Sequence, residues 1–237
     1  MIPSVPVPRG ITRACRREVR VSLNFSLIQP YVPMFWGGLA VTVQVTACSL
    51  LLAFAVGFVV AVLKVLPCRP LRLVLDFYTS IFRGVPLIVL LFMAYFATPQ
   101  LTGFKISMFA AGVLTLGLNG SATVSEALRG GIEGVDQGQY DAAHALSIPY
   151  VPMMVRVVIP QALRSVVPSL MNEVITVLKS SALVSVIGLM DLMRAAQSIQ
   201  AFTYRAFEPF FIAAIIYYVI VMALTWLGGV WERRLRQ

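Results

Sequence analysis

The sequence predicts an all-α membrane protein, a bundle of five membrane-crossing helices. Of its 237 residues, 59% are hydrophobic and 12% are charged, whereas a typical soluble domain carries about 25% charged residues. The mean hydropathy is +0.84, and the apolar segments are too long and continuous for the alternating strands of a membrane β-barrel. Because backbone polar groups need partners inside a bilayer, a helical bundle is the architecture that remains.

Five apolar segments are long enough to cross a membrane, at about 20 residues for each crossing. They cover residues 35–63, 73–97, 109–129, 163–190 and 207–231. The first contains small residues that allow close helix approach. We expect the second to bend, because Asp76 and the run Arg83-Gly84-Val85-Pro86 interrupt it. The third is rich in Gly, Ser and Thr, and the fourth contains Lys179.

The distribution of Lys and Arg between the loops predicts the orientation in the membrane. The first loop, the third loop and the C-terminal tail each hold three basic residues, whereas the second loop holds only Lys105 and the fourth holds Arg194 and Arg205. The basic residues are Lys64, Arg69 and Arg72; Arg129, Arg156 and Arg164; and Arg233, Arg234 and Arg236. Loops one and three and the C-terminus are therefore expected in the cytoplasm, with the N-terminus outside.

Residues 1–22 form a basic N-terminal extension that conflicts with this orientation. Five arginines and one glutamate lie within residues 1–20, and no apolar signal-peptide core follows them before Pro30. Either the start codon is misassigned and the protein begins near Val19 or Val21, or a true segment is held outside by the other loops. The first interpretation is favoured, and the transmembrane domain is expected to cover residues 23–237.

Charge and cysteine usage exclude several other classes. The net charge of +9 lies in short loops and at the chain ends, which favours membrane anchoring over nucleic-acid binding. The three cysteines, Cys15, Cys48 and Cys68, have no metal-site spacing and are expected as free thiols. The phosphate-binding pattern G-x-x-x-x-G-K-[ST] does not occur in the sequence.

A polar stretch from Gln139 to Pro160 separates two apolar segments. Small side chains around Ala143 predict a thin helix that a partner can approach closely, and Tyr140, Leu146 and Ile148 can add apolar contact. The sole histidine, His144, is expected to make a surface contact. The stretch therefore predicts a docking surface, with an ordinary amphipathic surface helix as the alternative.

The spacing in this stretch resembles the EAA loop of bacterial ABC importer permeases, E-A-A, three residues, G, nine residues, I-x-L-P. This chain departs from it with Asp141, Ser147, Val157 and Ile159 in place of Glu, Gly, Ile and Leu. From about Phe35 onward the chain resembles polar amino acid permeases of the glutamine and histidine type. The matching segments include Phe82-Arg83-Gly84-Val85-Pro86-Leu87, Glu126-Ala127-Leu128-Arg129-Gly130-Gly131 and Leu178-Lys179-Ser180-Ser181-Ala182-Leu183-Val184-Ser185.

This resemblance implies the type I ABC importer permease fold and import of polar amino acids by alternating access. The loop 139–160 would couple transport to a cytoplasmic ABC ATPase dimer through Asp141, Ala142, Ala143, Ser147, Val157, Ile159 and Pro160. The other implied partners are a second permease subunit, an extracytoplasmic amino-acid-binding protein and the bacterial inner membrane. The chain itself would hold no cofactor and perform no bond chemistry, since ATP would bind the partner.

Candidate residues for the translocation path lie within the spans: Lys179, Ser180, Asn119, Thr123 and Glu126. A charge at membrane depth costs about 2.5 to 3.5 kcal/mol on insertion scales, so Lys179 is expected either to line a wet path or to pair with Glu173 or Glu126. Glu126 and Arg129 are expected as a local ion pair. Asn119 and Thr123 can bind substrate or hold helices together.

Two other functional classes compete with this hypothesis. An ion-driven secondary transporter or channel needs ionisable relay residues within its spans, and only Asp76, Glu126, Glu173 and Lys179 come near that requirement. A structural membrane scaffold would not need the spacing from Asp141 to Pro160. We therefore expect an importer subunit.

Overall fold

The computed structural model describes residues 23–66 and 68–236, so the N-terminal extension lies outside the described residues. The regular structure in these ranges is helical. The α-helices are α1 (Val32–Val65), α2 (Arg69–Gly84), α3 (Leu87–Phe92), α4 (Thr98–Thr102), α5 (Met108–Glu133), α6 (Gln137–Ala145), α7 (Tyr150–Met153), α8 (Ile159–Ser180), α9 (Leu192–Thr203) and α10 (Phe207–Arg236). Two 3₁₀ segments, Phe25–Tyr31 and Ser181–Ile187, and two π-helical turns, Met93–Ala97 and Met154–Val158, join or extend them.

Four helical segments of the described chain are long and apolar enough to cross a membrane: Phe25–Val65, Met108–Glu133, Tyr150–Ile187 and Phe207–Arg234. A bent pair, Arg69–Gly84 with Leu87–Thr102, makes a fifth if it counts as one span. The all-helical class and the span count predicted from the sequence are therefore confirmed.

The predicted bend in the second span is sharp. The axes of α2 and of the helical segment that begins at α3 differ by 104°, at the junction of Val85 and Pro86, where proline interrupts the backbone hydrogen bonding. Helix α2 is amphipathic, since Leu73, Val74 and Phe77 are more than 60% exposed on one side. The other side turns Thr79 into the protein, where it is buried. The predicted single span 73–97 is thus corrected to two helices at roughly a right angle.

Close packing of α1 against α5 forms the centre of the bundle. A Cβ atom on Gly57 would lie 2.8 Å from Cβ of Val124, and a Cβ atom on Gly117 would lie 2.9 Å from Cβ of Leu52. The absence of side chains at these two positions therefore lets the helices approach within van der Waals contact. The predicted small-residue packing of the first span is borne out by this geometry.

Two boundaries differ from the prediction. The fourth span begins earlier than residue 163, and its last seven helical residues form the 3₁₀ segment Ser181–Ile187, which ends at Gly188 with φ of 96°. The expected loop before the fifth span contains α9. Four of its residues, Leu192, Ala195, Ala196 and Ile199, are completely buried, so tertiary packing stabilises a helix whose short apolar pattern gives no membrane-span signal.

Candidate functional site

The predicted docking stretch folds as the short helix α6 followed by a turn. Asp136 begins the helix, because its carboxylate accepts a hydrogen bond from the backbone N–H of Gly138 at 2.6 Å. Ala143 is only 4% exposed and packs against Met153, Met154 and Val158. This small residue therefore seats α6 on its own chain, and its predicted contact with a partner is corrected to an internal one.

The outward side of α6 is formed by Asp141, Ala142 and Ala145, which are exposed. Leu146 follows them and is 74% exposed. Of the three apolar side chains expected here, only Leu146 is presented outward. Tyr140 donates its hydroxyl to the carbonyl of Ile132 at 3.2 Å, and burial raises the pKa of this tyrosine.

Ser147 occupies the position where the EAA pattern has Gly. Its φ is 54°, a left-handed conformation that glycine adopts at little cost and serine at a higher one. The chain therefore keeps the turn that the pattern requires without the residue that favours it. Val157 lies within the π-helical turn Met154–Val158, and Ile159 and Pro160 begin α8, so the stretch passes directly into a membrane helix.

A buried lysine connects α1, α2 and α5 at the end of the bundle where α5 leads into α6. The Nζ atom of Lys64 lies 2.7 Å from Oε1 of Glu126, 2.9 Å from Oδ1 of Asp76 and 2.9 Å from Oγ1 of Thr79. Its side chain is 0% exposed. Arg129 extends the network with bonds to Glu126 and to Glu133. We call these six residues the Lys64 cluster.

The Lys64 cluster changes two expectations. Lys64 was assigned to a loop but lies in the last turn of α1, so the sequence count of apolar residues ended the helix too early. Glu126 does pair with Arg129, as expected, but its other cation is Lys64 and not Lys179. The signal that indicates this cluster is the coincidence of one basic residue at the end of a span with acidic residues on the next two helices.

Comparison with known proteins identifies the molecule. The family described as the inner membrane component of binding-protein-dependent transport systems matches residues 52–237. The chain belongs to this family. The arginine transport system permease protein ArtQ of Bacillus subtilis (strain 168) is 44% identical over 91% of this chain and 99% of its own length. A putative glutamine transport system permease protein GlnP of Rickettsia felis is 43% identical over 84% of this chain and 91% of its own length.

Solved structures agree on the architecture. A chain from the crystal structure of an amino acid ABC transporter with histidines matches with a TM-score of 0.86 and 40% identity, covering 90% of this chain and 99% of that one. A chain from the inward-facing methionine transporter MetNI matches with a TM-score of 0.75, covering 87% of this chain and 98% of that one at 20% identity. The second likeness concerns the fold alone. This chain therefore is a multi-pass inner-membrane permease subunit of an ABC importer.

The permease has a second buried polar group far from the Lys64 cluster. Asp191 is 0% exposed and begins α9 by accepting the backbone N–H of Arg194 at 2.8 Å. The backbone N–H of Leu192 donates to the hydroxyl of Thr42 at 3.0 Å. The hydroxyl of Tyr217 lies beside Thr42, Ser181 and Asp191. We call these four residues the Asp191 cluster, namely Thr42, Ser181, Asp191 and Tyr217.

Polar groups in the Asp191 cluster are incompletely satisfied. Within residues 23–66 and 68–236, Oδ2 of Asp191 and the hydroxyl of Tyr217 are buried and make no hydrogen bond of good geometry, although the hydroxyl lies near Thr42, Ser181 and Asp191. Burial raises the pKa of Asp191 from 3.8 to about 6, because the charged form loses its hydration. The backbone at Asp191 also lies so close to α1 that a Cβ atom on Gly38 would come within 2.7 Å of its carbonyl oxygen.

The candidate path residues of the permease are dispersed. Asn119 donates from Nδ2 to the carbonyl of Phe82, so it joins α5 to the end of α2, the helix-holding role that was one expectation for it. Thr123 and Ser180 are half-buried, and Lys179 is exposed on the isolated chain. Glu173, the other proposed partner of Lys179, is 7% exposed and lies against α5, where its Oε1 is 3.2 Å from a Cβ atom built on Gly120.

Proposed function

We propose that this permease imports polar amino acids, driven by a separate cytoplasmic ABC ATPase that docks on α6. The observation that carries this proposal is the two-sided geometry of α6. Its inward side is fixed by the buried Ala143, and its outward side ends in the exposed Leu146. A push on that outward side is transmitted through the cluster around Ala143 into the segment that leads to α8.

The remaining parts of the assembly follow from the same proposal. A second permease subunit, identical or related, completes the path, and an extracytoplasmic binding protein delivers the amino acid. ATP binds only the partner, and this chain holds no cofactor. The basic loops and the C-terminus lie in the cytoplasm, which places α6 and the Lys64 cluster on that side.

The substrate class rests on the relatives. Two relatives with more than 40% identity are named for arginine and for glutamine. Both of these amino acids have a zwitterionic backbone and a polar side chain. Lys179 is exposed on this single chain and Ser180 beside it is half-buried, a position that suits a path between two permease subunits. Transport then switches between two states that ATP and the loaded binding protein bind unequally.

The test uses the permease co-expressed with its ATPase and reconstituted with a binding protein. Leu146→Arg is expected to lower co-purification of the ATPase at least tenfold and to abolish uptake of L-arginine and L-glutamine. Leu101→Arg is the matched control, because Leu101 is 85% exposed in the segment expected outside. Undiminished ATPase association of the Leu146 variant would contradict the docking site, and absence of ATP-dependent uptake in the wild type would contradict the substrate class.

A further inference from the structure

An apolar groove of about 480 Å³ lies between the end of α1, the end of α5 and the segment 150–166. Its volume falls in the range of about 300 to 1,000 Å³ that is usual for sites that bind small molecules. Its lining is made of apolar side chains, and Tyr150 alone among the described lining residues carries a hydroxyl. Phe58, Val62 and Leu163 line it and are 60%, 48% and 45% exposed, so the groove is open at the surface of this single chain.

The groove lies at the end of the bundle that carries α6. A Cβ atom on Gly131 would lie 3.2 Å from the carbonyl oxygen of Ala162, which places the end of α5 level with the first turn of α8. From Ala162 back to Tyr150, the helical segment continues beyond that level for about three turns. On α1, the lining from Phe58 to Leu66 rises by about 12 Å, which is close to half of a hydrocarbon core of about 30 Å. The groove therefore has about the depth of one lipid leaflet.

Polar groups lie where the groove ends beyond α1 and α5. Arg156 lies between the lining residues Met154 and Ile159 and is exposed. Within residues 23–66 and 68–236 it makes no hydrogen bond or ion pair. Its guanidinium presents a planar set of N–H groups that matches a phosphate. Tyr150 is 57% exposed, and tyrosine is enriched at membrane–water interfaces, so this end of the groove suits the headgroup level.

Neighbouring charges leave Arg156 free to bind an anion. The Lys64 cluster holds two cations and three carboxylates, and Arg72, 3.9 Å from Asp76, brings the count to three of each. Of the acidic residues after α5, Asp136 accepts a hydrogen bond at the start of α6, and Asp141 lies on the outward side of that helix. A basic site between membrane helices is typical of sites that bind anionic lipid headgroups.

We propose that this groove binds an acyl chain of an anionic phospholipid, with the lipid phosphate on the guanidinium of Arg156. The acyl chain lies along Val62 and Leu163, and the headgroup stays in water beside Tyr150. The lipid fills the gap between the helices joined by the Lys64 cluster and the segment that leads from α6 to α8. The inference rests on the proposed function in one respect: the proposed orientation makes this leaflet the cytoplasmic one.

The experiment measures lipid binding to the purified full-length permease by native mass spectrometry, without the ATPase and in a neutral detergent. The probes are dioleoyl phosphatidylglycerol, the zwitterionic dioleoyl phosphatidylethanolamine, and glycerophosphoglycerol, which is the anionic headgroup without acyl chains. Val62→Trp is expected to raise the Kd of phosphatidylglycerol at least tenfold, because the indole occupies the groove. Val59→Trp is the matched control, since Val59 is 53% exposed on the same helix and does not line the groove. Thermal unfolding checks that both variants fold.

A second pair of variants tests the headgroup contact. Arg156→Gln is expected to lower the preference for phosphatidylglycerol over phosphatidylethanolamine at least fivefold and to leave phosphatidylethanolamine binding unchanged. Arg164→Gln is the control, because Arg164 is another exposed arginine of the same helical segment that does not line the groove. Glycerophosphoglycerol is expected to bind the wild type at least tenfold more weakly than the intact lipid.

Four results would overturn the proposal. Equal phosphatidylglycerol binding in the Val62 and Val59 variants would place the lipid elsewhere on the surface. Equal affinity of the wild type for the two lipids would exclude the phosphate contact, and equal affinity for glycerophosphoglycerol would exclude the acyl chain. Separation of a permease dimer by Val62→Trp, with lipid binding retained, would make the groove a contact between two copies. Uptake with the ATPase is measured separately, so failed transport with intact lipid binding contradicts only the proposed function.

Discussion

In the Lys64 cluster, each of the three N–H groups of a buried ammonium has an acceptor. In the Asp191 cluster, a carboxylate oxygen and a phenol hydroxyl are buried and make no hydrogen bond of good geometry among the described residues. The two clusters contact the same helix, because Thr42 and Lys64 both belong to α1. These two residues lie about 33 Å apart along the helix axis. One end of α1 is thus fixed by charge pairs and the other by a tight but incompletely bonded contact.

This difference indicates where the permease can move. Separating α2 or α5 from Lys64 strands a buried charge, which costs several kcal/mol, so these three helices are expected to move together. Separating α9 from α1 breaks the hydrogen bond from Leu192 to Thr42 and gives water to groups that lacked a partner. We therefore expect the conformational change of transport to open the Asp191 end more readily.

The largest expected effect is that of Lys64→Met. The substitution leaves the carboxylates of Asp76 and Glu126 without their shared cation. Because Glu126 keeps Arg129 and the side chain of Asp76 is 50% exposed, we expect a loss at the lower end of the range for a broken buried pair, about 3 kcal/mol. Thermal unfolding in detergent measures it. Lys179→Met is the control, since Lys179 is exposed and its loss should leave the unfolding temperature nearly unchanged. Equal stability of the two variants would contradict the role assigned to the Lys64 cluster.

The next effect concerns the tight contact at the other end. Gly38→Leu places atoms against the backbone of Asp191 and should cost about 1 to 3 kcal/mol. Gly37→Leu is its neighbour and control, because a Cβ atom at Gly37 meets nothing within 4 Å. A leucine at Gly37 should be neutral or slightly stabilising, as it is a better helix former than glycine. Equal unfolding temperatures for the two variants would show that α9 can shift away from α1 without a loss of stability.

Asp191→Asn tests the effect of burying the Asp191 carboxylate, whose Oδ2 makes no hydrogen bond of good geometry. The folded pKa of about 6 exceeds the ordinary value of 3.8, so the folded state binds more protons between these values and the wild type loses stability as pH rises from about 4 to 6. Asparagine still accepts the cap hydrogen bond and carries no charge. We expect the variant to exceed the wild type by about 1 to 2 kcal/mol at pH 7.5, with no gain at pH 4. A gain that does not depend on pH would exclude the ionised carboxylate as its cause.

The smallest expected effect is that of Glu133→Gln at the exposed edge of the Lys64 cluster. Its carboxylate is 57% exposed where it pairs with Arg129, and exposed pairs contribute about 0.2 to 1 kcal/mol. Glu126→Gln should cost several times more, because Glu126 binds the buried Lys64. Chemical denaturation in parallel compares the two, and similar losses would mean that burial does not decide the strength of this network.

Sequence patterns predicted the features that depend on local chemistry. Hydropathy located the spans, and Pro86 located the bend. The motif spacing located the stretch that contains α6. In each case the deciding property, side-chain polarity or a missing backbone N–H, belongs to the residue itself and does not depend on its neighbours in space.

The features that were missed depend on contacts between distant segments. The sequence gives no signal for the pairing of Lys64, because its partners Asp76 and Glu126 lie 12 and 62 residues away. Likewise, Ala143 was expected to face a partner. The sequence does not show that Met153 and Val158 pack against it in the folded chain. Helix α9 was missed because burial against other helices, not length, makes it stable.

The two π-helical turns, Met93–Ala97 and Met154–Val158, have a consequence for insertions and deletions. A π-turn accommodates one extra residue locally, so deleting one residue there restores regular α-helix and leaves the flanking segments facing the same directions. The same deletion in the straight part of α8 would rotate everything beyond it by about 100° and shift it by about 1.5 Å. Chain length can therefore change by one residue at Met154–Val158 without a change in the orientation of α6 relative to α8.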